Sequence, residues 1–82
     1  MTLKLKIFVA EDCPGCVEAR AIAMHIDQGY PDLDVEVIDI NHDPDAVPEK
    51  VFATPTYILD DRVVSLGNPG LEDITNWTNG TT

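Results

Sequence analysis

The change from a two-residue to a helical hydrophobic period across residues 10–16 limits the architecture of this chain more than any other feature. Upstream, Leu3, Leu5, Ile7 and Val9 alternate with Lys4, Lys6 and Phe8, the period of a β-strand. The end of that run, "IFVA", is apolar on both sides, as in a strand covered on both faces. Pro14 then suits the first position of a helix, where its missing N–H is not needed. The spacing predicts a helix over 14–28, with Val17, Ala21 and Met24 on one stripe and Ala19, Ile22 and Ile26 beside it. By the same spacing Met24 is core filler. Gly29 is placed to end the helix in a left-handed conformation. After the turn "YPDLD", the segment "VEVIDI" at 35–40 reads as a second strand, with Val35 and Val37 on one face and Ile38 and Ile40 on the other. Two such strands joined by a helix run parallel through a right-handed crossover.

The rest of the chain fits the same plan. "NHDPDAVPEKVF" holds only a short helix, because Pro48 interrupts whatever Pro44 begins. "TYIL" at 56–59 and "RVVSL" at 62–66 read as a hairpin turned at Asp60–Asp61, which lacks the favoured glycine. Gly67 to Gly70 turns the chain, and a last helix runs from about Pro69 to Trp77 with Leu71, Ile74 and Trp77 on one stripe. The order β-α-β-α-β-β-α predicts an α/β domain, a four-stranded mixed sheet with helices on both faces. With 82 residues the chain makes one domain, 1–82.

Charge narrows the function. Fifteen acidic residues against five basic ones give a net −10, which argues against nucleic acid and against an anionic membrane. No run approaches the ~18 apolar residues of a membrane span. "MTLKLKIFV" lacks the apolar run of a secretion signal, so a cytoplasmic location is expected.

The chemistry centres on "AEDCPGC", which holds the only two cysteines, Cys13 and Cys16. In the layout above Cys13 caps the first helix, where unpaired N–H groups and the positive dipole end favour a thiolate. Cys16 lies three residues on, within reach of a disulfide. In a redox reading Cys13 attacks a substrate disulfide and Cys16 resolves the mixed disulfide. A metal reading needs two further ligands, and His25 and His42 fit no common zinc-finger spacing; both histidines read as surface residues. A purely structural disulfide closes too short a loop to constrain much. Glu11 and Asp12 oppose the helix end, which predicts a thiol less acidified than in strong oxidants and a reducing bias. "ATPTYIL" supports redox chemistry, because it sets Pro55 directly before the third strand, with Thr54–Pro55 as a candidate cis bond.

A C-x-x-C opening the first helix, a Thr54-Pro55-Thr56 before the terminal hairpin and Gly67 closing that hairpin together resemble the thioredoxin superfamily, from Leu3 to Trp77. The length resembles glutaredoxins and small glutaredoxin-sized thioredoxins. The resemblance implies a thiol–disulfide oxidoreductase that uses its Cys13–Cys16 disulfide and no metal or organic cofactor. It implies a cis Pro55 packed on that disulfide and a Thr54 backbone that pairs with a bound peptide. Pro14, Gly15 and Gly67 would complete the substrate contact. The chain departs from the family in three places. Asp12 stands where thioredoxins carry Trp, the intervening pair is Pro-Gly, and the first strand lacks the buried acid. Glu11, Asp12 and Asp39 are the candidates to move the Cys16 proton instead.

Glutaredoxins hold glutathione with basic residues near the motif. Here acids precede the cysteines, and "LGNPGLED" only partly echoes the glutaredoxin turn. Protein disulfides are therefore the expected substrates of a monomer, with a thioredoxin-reductase-like donor favoured over glutathione. The rival reading from another class is an interaction module with redox-sensitive docking. Asn76-Trp77-Thr78 and Asn79-Gly80-Thr81 match the N-glycosylation pattern by chance, and Trp77 and Tyr57 read as packing residues.

Overall fold

The computed structural model describes residues 3–79; Gly80 and Thr81 of the second glycosylation pattern lie outside them. Strands β1 (Leu3–Val9), β2 (Leu33–Asp39), β3 (Thr56–Leu59) and β4 (Arg62–Leu66) and helices α1 (Pro14–Gly29) and α2 (Leu71–Asn79) follow in chain order. A single 3₁₀ turn, Pro44–Ala46, lies between β2 and β3, as the two prolines dictate. The sheet order is β2-β1-β3-β4. β1 runs parallel to β2 and antiparallel to β3, which is antiparallel to β4. No described helix is long and apolar enough to cross a membrane.

Alternation along β1 sorts its side chains onto two faces. Leu5, Ile7 and Val9 join Tyr57 and Leu59 under both helices, where Ala19, Ala23, Ile26 and Ile74 are buried against them. Phe8 points the other way and packs with Ile38 and Ile58, covered by Ile40, Val47 and Val51. The expectation of helices on both faces is thus corrected: this second face is covered by one 3₁₀ turn and irregular chain, because the two prolines leave no room for a longer helix there.

Three local expectations need correction. The buried face of α1 is Cys16, Ala19, Ala23 and Ile26, while Val17 is 76% and Met24 63% exposed and Ala21 is exposed too. Small side chains let the helix lie close on the sheet, and the larger apolar residues face outward. Gly29 is the last helical residue and has no positive φ; Tyr30 caps α1 with φ −132° and ψ 83°, its N–H bonded to the Ile26 carbonyl. Leu71 is exposed, so among the described side chains Ile74 and Trp77 carry the inward apolar stripe of α2.

The hairpin turn forms without glycine. Asp60 and Asp61 both take positive φ, 45° and 77°, the combination of a type I′ turn. The Asp60 carboxylate accepts the Lys4 N–H at 3.0 Å, and Lys50 Nζ lies 3.1 Å from the Asp61 carboxylate.

Candidate active site

Strand register gathers the site. Val9 pairs with Asp39, Phe8 with Thr56, and Thr56 with Leu66. The segments that follow β1, β2 and β4 and the segment that precedes β3 therefore all meet at one end of the sheet. Residues 10–13, 40–43, 54–55 and 67–70 form that rim.

Cys13 is the N-cap residue of α1, with extended backbone (φ −121°, ψ 106°), and Pro14 begins the helix. Cys13 and Cys16 are joined by a disulfide, their Cα atoms 5.2 Å apart. The first turn brings this about directly, since the Cys16 N–H bonds to the Cys13 carbonyl at 3.0 Å. The two sulfurs are not equivalent. Cys13 is half-buried on the rim, whereas Cys16 is 2% exposed and its Sγ accepts the Ala10 N–H at 3.4 Å.

Pro55 is buried and follows a cis Thr54–Pro55 peptide bond. It faces the motif at Gly15, where a Cβ would lie 3.5 Å from the Pro55 ring and 3.6 Å from Asn68 Nδ2. The Pro55 carbonyl accepts the Gly67 N–H at 2.8 Å. Gly67 has φ +92°, a left-handed conformation that suits glycine there. Gly15, Pro55 and Gly67 are thus brought together around the disulfide; Pro14 is exposed and Thr54 half-buried beside them.

Asn68 is the site residue that sequence reasoning missed. Its Nδ2 donates to the Gly15 carbonyl and to Glu18 Oε2, each at 3.0 Å, and its Oδ1 accepts the Tyr57 hydroxyl at 3.0 Å. Only its position directly after Gly67 hinted at this, because its main partners stand 50 and 53 residues away in sequence. Tyr57 is fully buried; that burial, with the Glu18 carboxylate second, pushes its hydroxyl from 10.0 up to about 12.

Of the three candidate acids, Glu11 and Asp39 are engaged by other side chains, and Asp12 is exposed. Glu11 Oε1 lies 3.2 Å from His42 Nε2, and Asp39 Oδ2 lies 3.4 Å from Arg20. Asn41 ties the two loops, accepting the Glu11 N–H and donating its own N–H to Asp39 Oδ1. Glu11, Asp39 and His42 could between them offer a metal three ligand atoms, all within 4.8 Å of one another, although Arg20 already engages Asp39. Lys50 and Arg62, which could in principle have folded near the cysteines, sit at the opposite end of the sheet beside the Asp60–Asp61 turn.

The model of the thioredoxin domain matches residues 3–79. The chain belongs to this thioredoxin-domain family. Mitochondrial thioredoxin 3 from Saccharomyces cerevisiae, in its oxidised form, superposes with a TM-score of 0.75 at 25% identity, over 96% of this chain and 78% of that one. Oxidised thioredoxin from Plasmodium falciparum gives 0.68 at 18% identity, over 93% and 81%. Reduced Escherichia coli glutaredoxin gives 0.57 at 20% identity, over 93% of each chain. No curated protein sequence matches the chain.

Proposed function

We propose that this thioredoxin-domain chain is a thiol–disulfide oxidoreductase that reduces disulfides in other proteins. The observation that carries the reading is the unequal exposure of two sulfurs within one disulfide at a helix N-terminus. In the dithiol form the Cys13 thiolate attacks a substrate disulfide, forming one S–S bond and releasing one substrate thiolate. Cys16, after losing its proton, attacks Cys13 Sγ; the mixed disulfide breaks and the second substrate thiolate leaves. Two electrons pass to the substrate, and the chain ends as the Cys13–Cys16 disulfide. The helix N-terminus stabilises the Cys13 thiolate as attacker and as leaving group.

Pro55, Thr54, Pro14, Gly15 and Gly67 are the proposed substrate contacts. A peptide laid along the Thr54–Pro55 backbone would bring its sulfur over Cys13. No cofactor beyond the disulfide is needed for this cycle. A monomer in the cytoplasm, recharged by a thioredoxin-reductase-like donor, fits the reading. A glutathione donor is disfavoured by the acids beside the motif and by the placement of Lys50 and Arg62 at the far end of the sheet.

The test is turnover of a protein disulfide with dithiothreitol as donor. Wild type should accelerate reduction, Cys13→Ser should abolish the effect, and Cys16→Ser should trap a mixed disulfide. A wild-type rate equal to that of Cys13→Ser would overturn the proposal. Replacing dithiothreitol by glutathione, then by a reductase system, identifies the donor.

A further inference from the structure

We propose that Asn68 is a positioning residue for this reaction: its side-chain amide holds the Cys13–Cys16 turn in the shape from which the disulfide closes. The inference deepens the thiol–disulfide reading above and rests on it.

The partners of Asn68 determine which way its amide points. The Gly15 carbonyl and the Glu18 carboxylate, each 3.0 Å from Nδ2, can only accept. The Tyr57 hydroxyl, 3.0 Å from Oδ1, donates, and its burial keeps that proton in place to high pH. Each end of the amide therefore has partners of the correct kind. The base of the clamp is fixed as well. Gly67, the preceding residue, is bonded to the Pro55 carbonyl at 2.8 Å, and Ser65 Oγ donates to the Gly67 carbonyl at 2.8 Å. Tyr57 is fully buried, with Trp77 stacked at a tilt 6.0 Å away. Asn68 thus connects rigid sheet to one of the two residues between the cysteines.

That placement bears on ring closure. On oxidation the two thiols give up two protons and two electrons, and one S–S bond forms. Oxidised dithiothreitol, accepting both, becomes its dithiol. How readily the ring closes depends on how often Cys16 Sγ already lies at Cys13 Sγ in the dithiol form. A clamp on the Gly15 carbonyl narrows the range of that turn, so less freedom is lost on closure. Without the clamp the dithiol samples more shapes and is favoured.

The experiment is a thiol–disulfide equilibrium in dithiothreitol buffers of set ratio, acid-quenched and read by counting thiols. Asn68→Asp keeps the acceptor for Tyr57, removes the donor to both Gly15 and Glu18, and sets a second carboxylate beside that of Glu18. It should move the equilibrium toward the dithiol about three- to tenfold, the range expected for the one lost hydrogen bond that lies within the Cys13–Cys16 turn. Were Asn68 there only to satisfy Tyr57, a Tyr57→Phe background would make it dispensable. The double variant Asn68→Ala with Tyr57→Phe should instead show the same shift relative to Tyr57→Phe alone. Constants within about 1.5-fold of their references in both comparisons, below the effect of one hydrogen bond, would overturn the inference. The readout needs no turnover. A chain that fails to reduce protein disulfides would defeat the proposed function, while this equilibrium would still decide the role of Asn68.

Discussion

Tyr57 links the core to the site through a single proton. Its hydroxyl is raised from 10.0 to about 12, by burial first and by Glu18 second. The unfolded chain releases this proton near its ordinary value, whereas the folded chain keeps it. The stability is therefore complete below pH 10 and is lost as pH rises toward 12, by an amount of order 2 kcal/mol. Tyr57→Phe should flatten that alkaline limb, read as the urea midpoint from pH 8 to 11.5. An equally steep decline in the variant would assign the loss to other groups. Asp12 acts on the chemistry more directly. Glu11 is drawn to His42 at 3.2 Å, which leaves exposed Asp12 as the charge beside Cys13 that works against the helix end. Asp12→Asn should raise the alkylation rate of reduced Cys13 at pH 6.5 about two- to threefold, the size of a surface charge at a helix terminus. An unchanged or slower rate would remove Asp12 from the account. These residues also mark how far the site could be read from sequence. Cys13, Cys16, Pro55 and Gly67 are legible because thiols at fixed spacing, an X–Pro before a strand and a hairpin-closing glycine each carry a local physical meaning. Asn68 has none until the fold sets it against Gly15, because its role comes from contacts across the whole chain.

At the scale of elements, strands and turns were legible where backbone chemistry dominates. Alternation located β1, and Pro44 with Pro48 confined the middle helix to one turn. The phase of α1 was misread for a physical reason: apolar bulk points to Val17 and Met24, but close packing on a sheet selects the small Ala19 and Ala23. Cys16, read as chemistry, is also a core residue. Substitutions should follow the observed phase. Ala19→Leu adds three carbons where no surface is exposed and should cost about 1–3 kcal/mol. Val17→Ser and Met24→Gln should lie within about 0.5 kcal/mol of wild type, as surface changes do. Urea melts of the three variants check the order, and a Met24→Gln loss matching that of Ala19→Leu would contradict the assigned face. The β3–β4 turn offers the opposite sign. Asp61 holds φ 77°, a conformation that costs a side-chain-bearing residue about 1 kcal/mol relative to glycine. Asp61→Gly should therefore stabilise by up to that amount, less whatever its exposed ion pair with Lys50 contributes.

The molecule as a whole carries a net charge of −10, and the few cations are not spread to offset it at the site. Lys4 lies 3.9 Å from Glu36, Lys50 3.1 Å from Asp61 and Arg20 3.4 Å from Asp39. Asp12 and Glu18, which flank the Cys13–Cys16 motif in sequence, are both exposed. A protein that approaches the disulfide thus meets a negative field, which raises the encounter rate of positively charged partners and lowers that of acidic ones. For two protein disulfides of similar accessibility, one in a basic and one in an acidic surface, kcat/KM should favour the basic substrate by about tenfold at low salt. The preference should shrink toward unity by about 0.5 M salt, where the screening length falls to a few ångströms. Reversing two rim charges, Asp12→Lys with Glu18→Lys, should narrow the low-salt preference, although Glu18→Lys also removes an Asn68 partner. Asp12→Lys alone is therefore the cleaner variant. Stopped-flow reduction of the two substrates across a salt series measures it. A preference that persists at high salt would locate the selectivity in contacts at Pro55 and Gly67 rather than in the field of the whole chain.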